Sequence, residues 1–335
     1  MGVITQRRVG QMKAQLLKEE SGPGGLSLTE VPDLVPGPGQ LLVDIKSCGV
    51  CFPDLLISQG KYQIRPPLPF IPGTEVAGVV REAPDGGQYQ AGDKVLVTPM
   101  VGGFAEQILV TPEMLLPMPE GLTFDEGAAL GINFQTAVFA LKMRAQTAPG
   151  EVVGVLGAAG GIGVASILVA KAMGAQVVAI VHRTGATDLL KSLGADHVVQ
   201  LTDGWGEKLR EVAPEGVDVM IDPSGGDVFD EALRQVAPDG RYVVVGFAAG
   251  GIPTVKLNRV LFRNVAIVGA AWGEYLRTHP NDNIPGLIHD EITEMIGAGL
   301  RPPVTATYPL ADTGQALTDM ADGKILGKAV IQIAD

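Results

Sequence analysis

Only two cysteines, Cys48 and Cys51, and four histidines occur in the 335 residues. Two thiols three positions apart at the end of an apparent strand are poorly placed for a structural disulfide, so the chain reads as one kept in a reducing compartment. His182, His197, His279 and His289 lie in separate segments and show no metal-ligand spacing. Lysine and arginine number 25 against 37 acidic residues, a net charge of −12. Without a basic block, broad attraction to nucleic acid or anionic lipid is not expected. No run reaches the roughly 18 unbroken apolar residues of a membrane span, and the N-terminus lacks the basic-then-apolar pattern of a secretory signal. A cytoplasmic protein with small-molecule partners is expected, bound to neither nucleic acid nor membrane.

Hydrophobic residues make up 46% of the chain, enough for a large core and, at this length, two domains. Met1 to Gln11 carries no apolar pattern and reads as a flexible extension. From Met12 to about Gly121, short apolar runs are punctuated by Pro and Gly: "MKAQLLKE", "LSLTEVP", "QLLVDIKSCGV", "TEVAGVVREA", "DKVLVT" and "FAEQILV". They predict an antiparallel, barrel-like β domain with turns at "PGPG" and "PDGG". Near Asn133 the period changes. A helix over Phe134 to Met143 leads into six strands, "VVGVLG", "QVVAIV", "HVVQL", "VDVMID", "RYVVVGF" and "VAIVGAA", separated by mostly helical stretches. That alternation predicts an α/β, doubly wound parallel sheet. After Trp272 come a helix over Leu287 to Ala298 and a last strand, "KAVIQIA", expected to rejoin the first domain. The expected division is 1–132, 133–272 and 273–335.

Val152 to Gly185 carries the most chemistry: a strand, the turn "GAAGGIG", a helix and a second strand. Glycines there let backbone approach a pyrophosphate, and a helix beginning near Gly161 aims its N–H groups and positive dipole end at the phosphates. NAD-binding chains usually place an acid at the end of the second strand to hold the ribose 2′-hydroxyl. Here the strand is followed by His182, Arg183 and Thr184. A fixed cation and a hydroxyl at that place favour the 2′-phosphate of NADP(H); the alternative is a solvated surface arginine.

The ordered motifs "VPDLVPGPGQLLVDIKSCGV", "CFPDLLISQGKY", "PLPFIPGTEVAGVV", "AGDKV", "GINFQTAVFAL", "GAAGGIG", "SLGADHVV", "VVGFAAGGIP" and "NRVLFRNVAIVGAAWG" lie in a resemblance that runs from Met12 to the end. In them the chain resembles the medium-chain dehydrogenase/reductases, specifically the zinc-independent NADPH:quinone oxidoreductase branch related to zeta-crystallin. The resemblance implies a GroES-like catalytic domain, a Rossmann domain and a homodimer joined edge to edge through the Rossmann sheets. Zinc enzymes of this superfamily use a Cys of "GxC", the His of "GHE" and a further Cys or acid. Here Cys51 keeps the first position, Thr74 replaces the histidine, and the four-cysteine structural lobe is absent, so no metal is expected. Cys51 also departs from the quinone reductases, where Asn is usual, and reads as pocket wall or buried inert thiol.

The same resemblance implies the site residues. Ala158, Ala159, Gly160, Gly161, Ile162 and Gly163 would contact the pyrophosphate. Asn133 and Thr136 would bind the carboxamide or ribose of nicotinamide, or else act as a helix cap and a back-bonded hydroxyl. Phe247, Ala248 and Ala249, with Ala270, Ala271 and Trp272, would line the nicotinamide. Lys324 and Lys328 would reach cofactor phosphate or stay solvated. Where some quinone reductases hold the 2′-phosphate with a Lys and a Tyr, this chain has Ala186 and Leu201, leaving Arg183, alone or with His182. Tyr62, in "QGKY", matches a proton-donating tyrosine of related enoyl thioester reductases and would protonate the acceptor or bond a quinone oxygen; a packing role is the alternative. Asp54 and Glu75 are expected to support the site rather than react. Hydride transfer to quinones without a metal is the leading expectation, with enoyl thioester or enone reduction second, Lys61 and Arg65 then attracting an anionic substrate. A non-enzymatic NADPH-binding protein is the third reading.

Overall fold

The computed structural model describes residues 10–333. The expectation of a flexible extension over 1–11 falls mostly outside them. Gln11, however, already belongs to the first strand.

Fifteen strands occur among the described residues. They are β1 (Gln11–Leu17), β2 (Leu26–Pro32), β3 (Leu41–Gly49), β4 (Glu75–Glu82), β5 (Lys94–Val97), β6 (Gln107–Val110), β7 (Leu115–Pro117) and β8 (Val152–Val155). β9 (Gln176–Val181), β10 (His197–Gln200), β11 (Val217–Asp222), β12 (Val236–Val244), β13 (Ala266–Gly269), β14 (Ala306–Pro309) and β15 (Ala329–Gln332) complete the set. The chain divides into two compact units, 1–132 with 302–335, and 133–301.

In the first unit a seven-stranded sheet runs β14-β15-β3-β4-β5-β7, with β6 also paired to β3. Every pairing except β14 with β15 is antiparallel. β1 and β2 form a separate antiparallel ribbon. β3 is the hub because it alternates little: Leu41, Leu42, Val43, Ile45 and Cys48 are all buried, as a strand flanked by three neighbours requires. Around it pack Val76, Val80, Val95, Val97, Phe104 and Ile331.

The second unit is built on a six-stranded parallel sheet in the order β10-β9-β8-β11-β12-β13. Its central strands are short apolar runs, as burial on both faces demands. The order reverses between β8 and β11, the switch point at which open α/β sheets bind ligands beyond the strand ends. All six expected strands form. The Ala- and Leu-rich helix does not run uniformly; it is α-helical over Gly131–Val138 and widens to a π-helix over Phe139–Arg144. The boundary expected at Trp272 is displaced. Helices Trp272–Thr278 and Ile284–Gly297 both belong to the second unit, and the chain returns to the first at Pro302. The reason is packing: the Trp272 ring lies 5.1 Å from that of Phe139, tilted by 46°, and donates Nε1–H to Gln135 Oε1 at 3.1 Å, while Lys142 pairs with Glu291.

Candidate cofactor and substrate sites

The glycine turn in the second unit is held by backbone. Leu156 N–H donates to Ile221 O (3.0 Å), Ala158 N–H to Ile180 O (3.2 Å) and Gly160 N–H to Gly157 O (2.9 Å). Gly157 turns the chain at φ +58°, in the left-handed region that favours glycine. Gly163 lets the first helical turn press onto the loop, since a Cβ there would stand 2.6 Å from Ala158 Cα. The 12-residue helix Gly161–Ala172 starts from Gly160 with no side-chain cap, so its first N–H groups are unclaimed by a capping side chain. Gly160, Gly161 and Ile162 are partly exposed, while Ala158 and Ala159 are buried. The Asn133 amide lies against Gly161, where a Cβ would come 3.1 Å from Asn133 Cγ. Asn133 thus faces the start of this helix, and Thr136 lies buried one helical turn on.

After β9, His182 and Thr184 are exposed and Arg183 is partly buried. The loop after β11 is fixed by Asp222: Oδ1 accepts from Ser224 N–H and Gly225 N–H, both at 2.8 Å, and Oδ2 accepts the Tyr242 hydroxyl at 2.7 Å. That loop carries the next one, through Ala248 N–H to Pro223 O (3.1 Å), Ala249 N–H to Ser224 O (2.9 Å) and Gly226 N–H to Gly251 O (2.9 Å). Phe247, Ala248 and Ala249 stand exposed on this rim. Ala270 and Trp272 are buried and Ala271 is exposed. Sequence reasoning passed over Asp222, Tyr242 and Gln135. Their only local signals are a polar residue closing an apolar strand and two polar residues inside buried elements.

The first unit holds a second constellation, assembled by register. β3 pairs β4 with Gly49 opposite Glu75, and β15 with Gly49 opposite Val330. Continuing that antiparallel register sets Lys328 across from Cys51, and Val50 N–H to Ala329 O (3.0 Å) keeps it in step. Lys328 Nζ donates to Cys51 Sγ at 2.9 Å and pairs with Glu75 Oε2; the Cys51 thiol donates to the same oxygen at 2.7 Å. Gly49 makes room, because a Cβ there would stand 2.5 Å from Glu75 Oε2 and 3.0 Å from Lys328 Cε. All three side chains are buried, at 3%, 1% and 4% exposure for Cys51, Glu75 and Lys328. Glu75 Oε1 also accepts the Ile132 N–H.

Burial raises the Cys51 thiol well above its ordinary range, with the Glu75 charge adding to the effect, so sulfur keeps its proton. For Lys328, burial opposes the charge, but its two partners outweigh burial and hold the ammonium protonated. Asp54, whose Oδ2 accepts Cys51 N–H at 2.9 Å, is pushed up to about 7, mainly by burial. Tyr62 is half-buried, and burial followed by the field of Asp54 raises its phenol. The two residues expected at the substrate, Cys51 and Tyr62, therefore share one neighbourhood. Lys328 corrects the expectation that it reaches cofactor phosphate or water: its ammonium is buried and spent on Glu75 and Cys51. Lys324 pairs at the surface with Asp319 and Asp322. Cys48 and Cys51 are free thiols. Among the described residues no group of three or more His, Cys, Asp and Glu side chains is arranged to hold a metal, and no helix is long and apolar enough to cross a membrane.

Comparison with known proteins matches the two units of the fold. The alcohol dehydrogenase GroES-like domain family matches residues 37–120, and the zinc-binding dehydrogenase family matches residues 161–288. A quinone oxidoreductase-like protein 2 of Bos taurus is 35% identical over 331 residues, 96% of this chain and 92% of the relative. Among solved structures, a probable oxidoreductase from Mycobacterium abscessus is 44% identical with a TM-score of 0.90, over 96% of this chain and 99% of that one. The quinone oxidoreductase from Thermus thermophilus, described also in complex with NADPH, is 33% identical with a TM-score of 0.83, over 96% and 100%.

Proposed function

This chain belongs to the quinone oxidoreductase-like medium-chain dehydrogenase/reductases, and on that premise we propose that it reduces quinones with NADPH and needs no metal to do so. NADPH, when bound, supplies the hydride. The observation that carries the reading is the second unit's loop and strand end: an uncapped helix start behind a glycine turn, beside a β9 followed by His182, Arg183 and Thr184 instead of an acid.

The chain's residues divide the work. Backbone N–H groups at Gly160 to Gly163 bind the pyrophosphate, with Ala158 and Ala159 keeping the loop narrow. Arg183, supported by His182 and Thr184, takes the 2′-phosphate. Asn133 and Thr136 present an amide and a hydroxyl to the nicotinamide end. Phe247, Ala248, Ala249, Ala270, Ala271 and Trp272 wall it. Tyr62, a phenol protonated at neutral pH and held more firmly so by burial, can donate a hydrogen bond to the oxygen that gains charge as the quinone is reduced.

Zinc does not fit the donors. At the superfamily's zinc position only Cys51 keeps a ligand, Thr74 standing for the histidine, and the Cys51 sulfur and the neighbouring Glu75 carboxylate both already answer to the Lys328 ammonium. Quinones suit such a site, since charge arriving on a conjugated acceptor is delocalised and requires only hydrogen bonds and a proton. A second copy of the chain is the proposed macromolecular partner, joined along the free edge of β13. The test is NADPH oxidation by chelator-dialysed protein with ortho- and para-quinones set against enones and crotonyl-type thioesters. Quinone turnover is expected; turnover confined to the enoyl substrates, or none at all, overturns the reading.

A further inference from the structure

One family that this chain matches is described as zinc-binding, yet the position where Cys51 would ligate a metal is taken by a cation of the protein's own. We propose that the Lys328 ammonium is a built-in substitute for a divalent ion: it stands against both Cys51 Sγ and Glu75 Oε2 and excludes the metal those two donors would otherwise take. The inference rests on the metal-free reading above and explains how that state is enforced.

Three observations support it. The first is donor chemistry. A thiol sulfur and a carboxylate oxygen 2.7 Å apart are both zinc-type ligands, and both are turned to the same nitrogen. The second is that the site is built. Three strands converge on it, Gly49 is bare of a side chain where Glu75 and Lys328 meet, and Lys328 arrives by the register of β15 on β3. The third is charge. The Lys328 ammonium faces the Glu75 carboxylate in a buried pocket. Deleting the ammonium leaves the Glu75 carboxylate buried and uncompensated. A divalent cation would restore neutrality if Cys51 released its proton to solvent, giving two negative ligands to two positive charges, with water completing the coordination.

The test is a cobalt(II) titration of wild type and of Lys328→Ala, read by thiolate-to-cobalt absorption and by metal content after gel filtration. Wild type should show no such absorption. Lys328→Ala should bind about one cobalt per chain, with affinity raised at least about a hundredfold, and Lys328→Ala with Cys51→Ser should lose the absorption. Cobalt bound through Cys51 in wild type overturns the proposal, as does a folded Lys328→Ala that stays metal-free. If Lys328→Ala melts without metal, recovery of its fold on adding cobalt supports the proposal. Failure to recover, with folded Lys328→Gln equally metal-free, overturns it. Quinone turnover by chelator-treated wild type is scored separately, so a failed cobalt result leaves the proposed activity standing or falling on its own measurement.

Discussion

Arg183 stands two residues beyond the last residue of β9, where a carboxylate would hold an unphosphorylated ribose. Arg183→Ala should weaken NADPH binding by about tenfold to a hundredfold, the scale of one charge-assisted contact, and leave NADH nearly unchanged. Fluorescence titration with both nucleotides checks it, and equal losses remove Arg183 from the role. Asp54 offers a stability test. Burial lifts its carboxyl from 3.8 to about 7, so its folded-state affinity for a proton exceeds that of the unfolded chain. The sign follows: the stabilisation is fully present below about pH 4 and is lost as pH rises through about 7. Asp54→Asn keeps an oxygen for the Cys51 N–H and removes the titration. Its unfolding free energy, measured in urea at pH 5 and pH 8, should lose this dependence and gain on wild type at pH 8 by on the order of 3 kcal/mol. A wild-type pH profile that the substitution leaves unaltered would remove Asp54 as its source.

Strands were legible wherever an apolar run was long enough to need burial, and β8 to β13 were all read from such runs. β7 and β14 were not, because three or four residues such as "LLP" or "ATYP" carry no period of their own and become strands only through partners elsewhere in the chain. The glycine turn was legible for a different reason: each glycine answers a local steric demand. Gly163 tests that claim. A methyl group there would stand 2.6 Å from Ala158 Cα, so Gly163→Ala must push the helix off the loop. A stability loss of about 1–3 kcal/mol is expected. The stabilisation that NADPH adds to the thermal melt should shrink as well, because the N–H groups no longer converge; an unchanged NADPH-induced shift would contradict this account of the turn. The Lys328–Cys51–Glu75 group shows what stays hidden. Its lysine is 253 residues from the glutamate and 277 from the cysteine, and only the pairing of β15 with β3 brings it in. A lysine just ahead of an apolar strand reads locally as solvated. Nothing near it in sequence reveals the carboxylate that buries it.

At the scale of the molecule, apolar periodicity marked the change from β to α/β near Asn133 but set the return about thirty residues early. The helices after Trp272 are amphipathic and name no partner, and it is their packing on Phe139, Gln135 and Lys142 that assigns them to the second unit. The same unit leaves apolar surface uncovered. Among the described residues β13 ends the parallel sheet and pairs only β12, and Ile267 on it is 39% exposed. Just before it in the chain, Leu257, Leu261 and Phe262 are more than two-thirds exposed. An open strand edge beside bulky apolar side chains is a liability that a second copy removes, since two such edges related by a twofold axis can extend one sheet through both chains. Sedimentation equilibrium should therefore give twice the chain mass for wild type. Ile267→Lys combined with Phe262→Glu places charges on the edge and on the flanking patch without touching the buried core of the sheet. It should give a single-chain mass with an unchanged far-UV spectrum. A wild type that sediments as one chain, or a double variant that still pairs, would mean that this edge is not where copies meet.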